Sequence, residues 1–184
     1  MESTRRSFLA SCATGLCACG FSRLAAASPA EAAGEGIQTV KDPMPSKWIA
    51  ALLPQLEQSV DRKAAKSVLK GCAAAHFDHL DMGRQVAPYA GNMDAFLAFL
   101  AAEWGWKIEY DKAAGQIRID EAKSYCVCPL NHQEAPQKSA LLCDCSEGFA
   151  EKLFSAVAGR PVKAEVVASI LRGAKSCRYR ISLA

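Results

Sequence analysis

The sequence predicts an α+β fold: a helical N-terminal half followed by an antiparallel sheet with one inserted helix. Three observations lead there. Apolar residues recur at helical spacing from about residue 46 to 104, the repeat changes to two at Trp106, and one helical stretch interrupts the later strands. With 184 residues, 51% hydrophobic and 22% charged, one domain with a core of its own is expected.

The spacing predicts a first helix over 46–59, which Pro54 kinks or divides. Asp61 is placed to cap a second helix running to about Leu80. Its apolar face carries Ala65, Val68, Leu69, Cys72, Ala75, His76 and His79. Gly83, Pro88 and Gly91 mark a loop, and Asn92 then caps a third helix over 93–104. Phe96, Leu97, Phe99 and Leu100 point it at the core, and Gly105 ends it.

Residues 106–110 and 116–120 alternate apolar and polar around a glycine-closed loop, which is the pattern of a β-hairpin. Residues 124–128 read as a third strand, and 130–138 as a polar loop containing Pro136. Ser146 is placed to cap the inserted helix, which runs to Ala158 and stops at Gly159-Arg160-Pro161. Strands over 162–171 and 177–183 complete the sheet. In the last of them Cys177, Tyr179 and Ile181 share one face and Arg178 and Arg180 the other.

The N-terminus has a separate logic. Arg5-Arg6 precede the mild apolar run from Phe8 to Leu24, which ends in Ala25-Ala26-Ala27-Ser28-Pro29-Ala30. A charged start, a modest apolar middle and small residues for a peptidase make residues 1–30 a twin-arginine signal peptide. The expected partner during export is the twin-arginine translocase, and the expected location is periplasmic or otherwise exported. Leu9-Ala10-Ser11-Cys12 and Leu16-Cys17-Ala18-Cys19 resemble lipid-attachment boxes, so a membrane-tethered lipoprotein is the alternative. Residues 31–45 read as a linker and 46–184 as a single cysteine-rich binding domain.

Cleavage at Ala30 removes three arginines and one glutamate, which brings the formal charge from +3 to +1. A near-neutral domain argues against nucleic acid as a partner. Six cysteines remain: Cys72, Cys126, Cys128, Cys143, Cys145 and Cys177.

Two Cys-x-Cys units stand out, Cys126-Val127-Cys128 and Cys143-Asp144-Cys145. Residues i and i+2 of an extended chain point the same way, so each unit offers two sulfurs to one side. Together Cys126, Cys128, Cys143 and Cys145 would make a four-sulfur site suited to zinc or an iron–sulfur cluster. Disulfides crossing between the units are the competing reading. A hydrolase or thiol-dependent enzyme with Cys126 or Cys143 as nucleophile is another. Cys72, His76 and His79 share a helical face and are candidate additional ligands, as is Cys177; close helix packing of Cys72 and a solvated His79 are the favoured explanation of the trio. His132 sits in a polar loop, as a surface group or a further ligand. Trp104, Trp106 and Tyr110 read as hairpin packing or as a pocket wall. No phosphate-binding glycine loop and no His-Glu-x-x-His motif is present.

The C-terminal segment carries Gly148-Phe149, Gly159-Arg160-Pro161-Val162, Ser169-Ile170-Leu171-Arg172-Gly173 and Cys177-Arg178-Tyr179-Arg180-Ile181. It resembles the 4-vinyl-reductase-type small-molecule-binding domain and the related L-2-amino-thiazoline-4-carboxylic acid hydrolase-like proteins. The resemblance implies an antiparallel sheet packed on helices, often as a homodimer, in a group that includes ligand sensors, some with structural zinc. Cys177 matches a zinc ligand of some sensors, whereas the cysteine often found eight residues earlier is here Ser169. The expected function is thus an exported small-molecule- or metal-binding domain. The alternatives are a related hydrolase and a disulfide-stabilised structural domain.

Overall fold

The computed structural model describes residues 44–131 and 139–183. The expected signal peptide, most of the expected linker and His132 lie outside the described residues. Within these residues, five helices and four strands follow one another as α1 (Met44–Ser59), α2 (Arg62–His79), α3 (Met82–Val86), α4 (Met93–Trp104), β1 (Lys107–Asp111), β2 (Gln116–Asp120), α5 (Leu142–Ala158), β3 (Lys163–Ala168) and β4 (Arg178–Ser182). The strands form one antiparallel sheet in the order β1-β2-β4-β3. This is the α+β architecture expected from the sequence.

Two of the three expected N-terminal caps act where the sequence placed them. The Asp61 carboxylate accepts from the backbone N–H groups of Lys63 and Ala64, and the Asn92 side chain accepts from Ala95. Gly105 and Gly159 end α4 and α5 in the left-handed region, at φ 70° and 65°. Pro54 lies inside α1 without dividing it, and α1 starts at Met44, inside the expected linker. The expected loop around Gly83 instead holds α3 and a 3-10 turn over Ala87–Tyr89; Met82 and Val86 of α3 are buried in the core.

The apolar sheet face meets the helices in one main core built on Phe96, Leu100, Ile117, Leu153, Phe154 and Ile181. Cys177, Tyr179 and Ile181 face it together, while Arg178 and Arg180 are exposed, as the alternation required.

Helices α2 and α5 pack at very close range. A Cβ on Gly148 would sit 2.4 Å from the Lys70 carbonyl oxygen and 3.0 Å from the Ala73 Cβ. Three close ion pairs run along this contact, with Lys70 also 4.0 Å from Glu147. Arg62 holds Asp144 with two bonds of 2.6 and 2.8 Å, Lys66 meets Glu147 at 2.6 Å, and Lys70 meets Glu151 at 2.6 Å. The cations repeat every four residues and the acids every three or four, so each set lies along one helical stripe. The acids have a second task. Glu147 accepts from the Val166 N–H and Glu151 from the Ala164 N–H, satisfying donors on edge strand β3 that would otherwise be free to pair with another chain.

Two expectations are corrected here. Residues 124–128 form no strand. Both edges of β2 are already taken by β1 and β4, and the chain leaves the sheet at Ala122, whose φ is 54°. Helix α5 begins at Leu142, four residues ahead of Ser146, and its first N–H groups are met by a turn over 139–141 rather than by a Ser146 cap. Leu141 and Leu142 are buried against Leu53, Ala65 and Leu69, so apolar burial recruits the extra turn.

Candidate functional site

A cavity of about 360 Å³ lies between the helices and the apolar sheet face. Helix α5 supplies Phe149, Leu153 and Phe154, and the sheet supplies Ile119, Val166 and Tyr179. Trp104 and Trp106 flank the left-handed Gly105 and meet edge to face, with ring centres 4.7 Å apart. The segment between Glu121 and Leu130 contains neither helix nor strand and forms a half-exposed part of the wall through Lys123, Cys126, Val127 and Cys128.

Two of the polar groups in this largely apolar lining stand out. The first is Glu121, 4% exposed at the end of β2, whose Oε1 accepts a 3.0 Å hydrogen bond from the Tyr179 hydroxyl. Its backbone N–H donates to the Cys177 carbonyl, which carries the β2–β4 pairing one residue past the strand ends. Burial pushes the Glu121 carboxyl up from its ordinary 4.5, against hydrogen bonds from Tyr179 and Cys177 that hold it down. The folded chain therefore holds this proton more tightly than the unfolded chain, and stability falls as pH rises from the ordinary carboxylate range through the folded value. Glu121→Gln is expected to flatten that part of the stability–pH curve and to raise the urea midpoint above wild type at about pH 8. Parallel curves for the two proteins would show that Glu121 does not carry this linkage.

The second feature is His76. Its ring stacks on Phe149 at 4.5 Å between centres and lines the cavity. Both ring nitrogens are buried, and neither has a hydrogen-bond partner among the described residues. Burial, followed by the neighbouring His79, holds the imidazole below its ordinary 6.5, so it is neutral, with one nitrogen a donor and the other an acceptor.

The structure divides the cysteines. Cys126, Cys128, Cys143 and Cys177 line the cavity, from the 121–130 segment, α5 and the start of β4. Cys145 is buried outside the lining, where it feels Cys72 on α2. The reason is geometric: Cys143 and Cys145 lie in the first turn of α5, and residues i and i+2 of a helix diverge where those of a strand align. Of the helical trio only His76 reaches the cavity; Cys72 and His79 are exposed because α2 buries Ala65, Leu69 and Ala73 instead.

All six cysteines are unpaired among the described residues. The Cys143 thiol donates to the Ser169 hydroxyl at 3.2 Å. Burial pushes Cys128 and Cys177 up to about 12, Cys145 up to about 11, and Cys143 up as well. That is opposite to the direction that activates a nucleophile. No group of three or more His, Cys, Asp or Glu side chains among the described residues is arranged to hold a metal ion. As placed, these donors do not fit a four-coordinate zinc or cluster site.

Comparison with known families places residues 21–184 in a family of unknown function, DUF6144. The chain belongs to that family. No curated protein matches this DUF6144 member. Among solved structures it is similar to trafficking protein particle complex subunit 3 from Naegleria fowleri covalently bound to palmitic acid, at 17% identity and a TM-score of 0.50, covering 78% of this chain and 97% of that one. The phenol-responsive sensory domain of the transcription activator PoxR with phenol gives 11% identity and a TM-score of 0.43, covering 74% and 73%. These likenesses concern the fold.

Glu121 and the cavity role of Leu153 carried no distinctive signal in the sequence. A lone glutamate after a strand looks like any surface acid until the fold closes over it.

Proposed function

We propose that this domain binds a compact, largely apolar, uncharged molecule with one hydrogen-bonding group, and that His76 is the polar contact for that group. One observation carries the reading: His76 stands in the wall of an apolar cavity with both buried ring nitrogens unsatisfied among the described residues. A buried polar group left unpaired costs about 1–3 kcal/mol, and a ligand that satisfies it recovers that amount as affinity. The cavity volume lies within the usual range for small-molecule sites, and stacked and edge-on aromatic rings favour a flat ligand. The resemblance to 4-vinyl-reductase-type domains points the same way, toward ligand sensing.

The probes are 2-naphthol and naphthalene, compared by isothermal titration calorimetry. 2-Naphthol is expected to bind about tenfold more tightly, and His76→Phe, which keeps the ring stack on Phe149, is expected to abolish that difference. Leu153→Trp, which fills the cavity, is expected to abolish binding of both while circular dichroism confirms the fold. Preference for palmitic acid over 2-naphthol, or equal binding to wild type and Leu153→Trp, would overturn the reading.

A further inference from the structure

Four thiols facing one cavity from three different elements are unexplained by apolar ligand binding. Their surroundings distinguish them. Cys126 sits on the half-exposed segment, within reach of solutes, and lines the same cavity as Cys143 and Cys177. Cys143 is the second residue of α5, where its own N–H is taken by the Ala140 carbonyl and burial pushes its thiol up. Ser169 accepts its hydrogen bond, and the Arg172 guanidinium lies close enough to favour its negative form. Cys177 is instead set beside Glu121, whose negative charge opposes a thiolate there. Cys128 follows Cys126 by two residues on the same segment, so a bond between those two would not tie the segment to the helix wall. Cys145 faces away from the cavity.

We propose that Cys126 and Cys143 form a reversible disulfide latch that pins the 121–130 segment across the cavity and restricts entry of its ligand. The oxidant is a low-molecular-weight disulfide. The Cys126 thiolate attacks one sulfur of oxidised glutathione, expelling one glutathione thiolate and leaving a mixed disulfide. The Cys143 thiolate then attacks the Cys126 sulfur and expels the second glutathione. The two protein thiols lose two electrons, the two glutathiones gain them, and the two protons released from the protein pass to the glutathione thiolates. The segment lacks helix or strand pairing, so its position is the one a single bond can most readily change.

The latch rests on the proposed ligand site only for its consequence. The bond is read without any ligand. The full chain is incubated with oxidised glutathione, quenched with N-ethylmaleimide and mapped unreduced by mass spectrometry. A Cys126–Cys143 crosslinked peptide is expected in wild type and in Cys128→Ser, and neither in Cys126→Ser nor in Cys143→Ser. Oxidation is expected to slow 2-naphthol association at least tenfold in wild type, leave Cys126→Ser unchanged, and reverse with dithiothreitol. Iodoacetamide labelling of Cys177 is expected to slow in parallel, so closure stays measurable if 2-naphthol does not bind. Pairing of Cys126 with Cys128 or Cys177, a mixed disulfide that persists, or a formed bond that leaves Cys177 labelling unchanged would overturn the proposal.

Discussion

Gly148→Ala is expected to destabilise the domain by about 2 kcal/mol or more, although alanine is the better helix former. The reason is the α2–α5 crossing. The new Cβ would lie 2.4 Å from the Lys70 carbonyl oxygen and 2.8 Å from its Cα. Both belong to helix backbone, so relief requires the helices to move apart. That movement would lengthen the Lys66–Glu147 and Lys70–Glu151 pairs and loosen the bonds by which Glu147 and Glu151 hold β3. Gly71 provides the internal control. It lies inside α2, and a methyl group added there would meet nothing within 4 Å, so Gly71→Ala is expected to stabilise by about 0.5–1 kcal/mol. Urea denaturation of the two variants checks both signs. Equal midpoints for the two would show that the close crossing does not govern stability.

Phe154→Ala is expected to cost about 3–5 kcal/mol. Its ring is fully buried, meets Phe96 edge to face at 5.4 Å between centres, and forms part of the cavity wall. Truncation removes that contact and enlarges a void that already exists, so collapse of the core cannot refill it. Thermal denaturation should show a midpoint lowered by on the order of 10 °C. Saturating 2-naphthol should raise the variant's midpoint as it does that of wild type, since binding only to the folded state stabilises it. A drop of only a degree or two would mean that neighbouring side chains close the gap.

The ion-pair ladder shows how two readings of one sequence can differ. Arg62, Lys66 and Lys70 on one side, and Asp144, Glu147 and Glu151 on the other, already had helical spacing in the chain. Nothing local says that stripes so far apart in sequence face each other. Their partnership depends on Gly148 letting two backbones approach, and a single glycine within a helical pattern is a weak signal by itself.

The cysteines teach the opposite lesson. The i, i+2 argument required extended chain at both units, and neither is a strand. Ser146 before Glu147 looked like a helix start, but burial of Leu141 and Leu142 carried the helix back past both cysteines. The two units still meet at one cavity, through three of their four sulfurs and with Cys177 as the other thiol in the wall.

The sequence by itself determined what depends on neighbours along the chain: the caps at Asp61 and Asn92, the glycine stops at Gly105 and Gly159, the hairpin, and the inward face of the last strand. Each of these is decided by backbone conformation and by hydrogen bonds over a few residues. Only the tertiary structure decided where the 121–130 segment runs, how far α5 extends, and that Glu121, Tyr179 and His76 end up around one apolar cavity. Those outcomes depend on which surfaces are removed from water and which strand edges are already occupied, quantities that exist only once distant segments have packed.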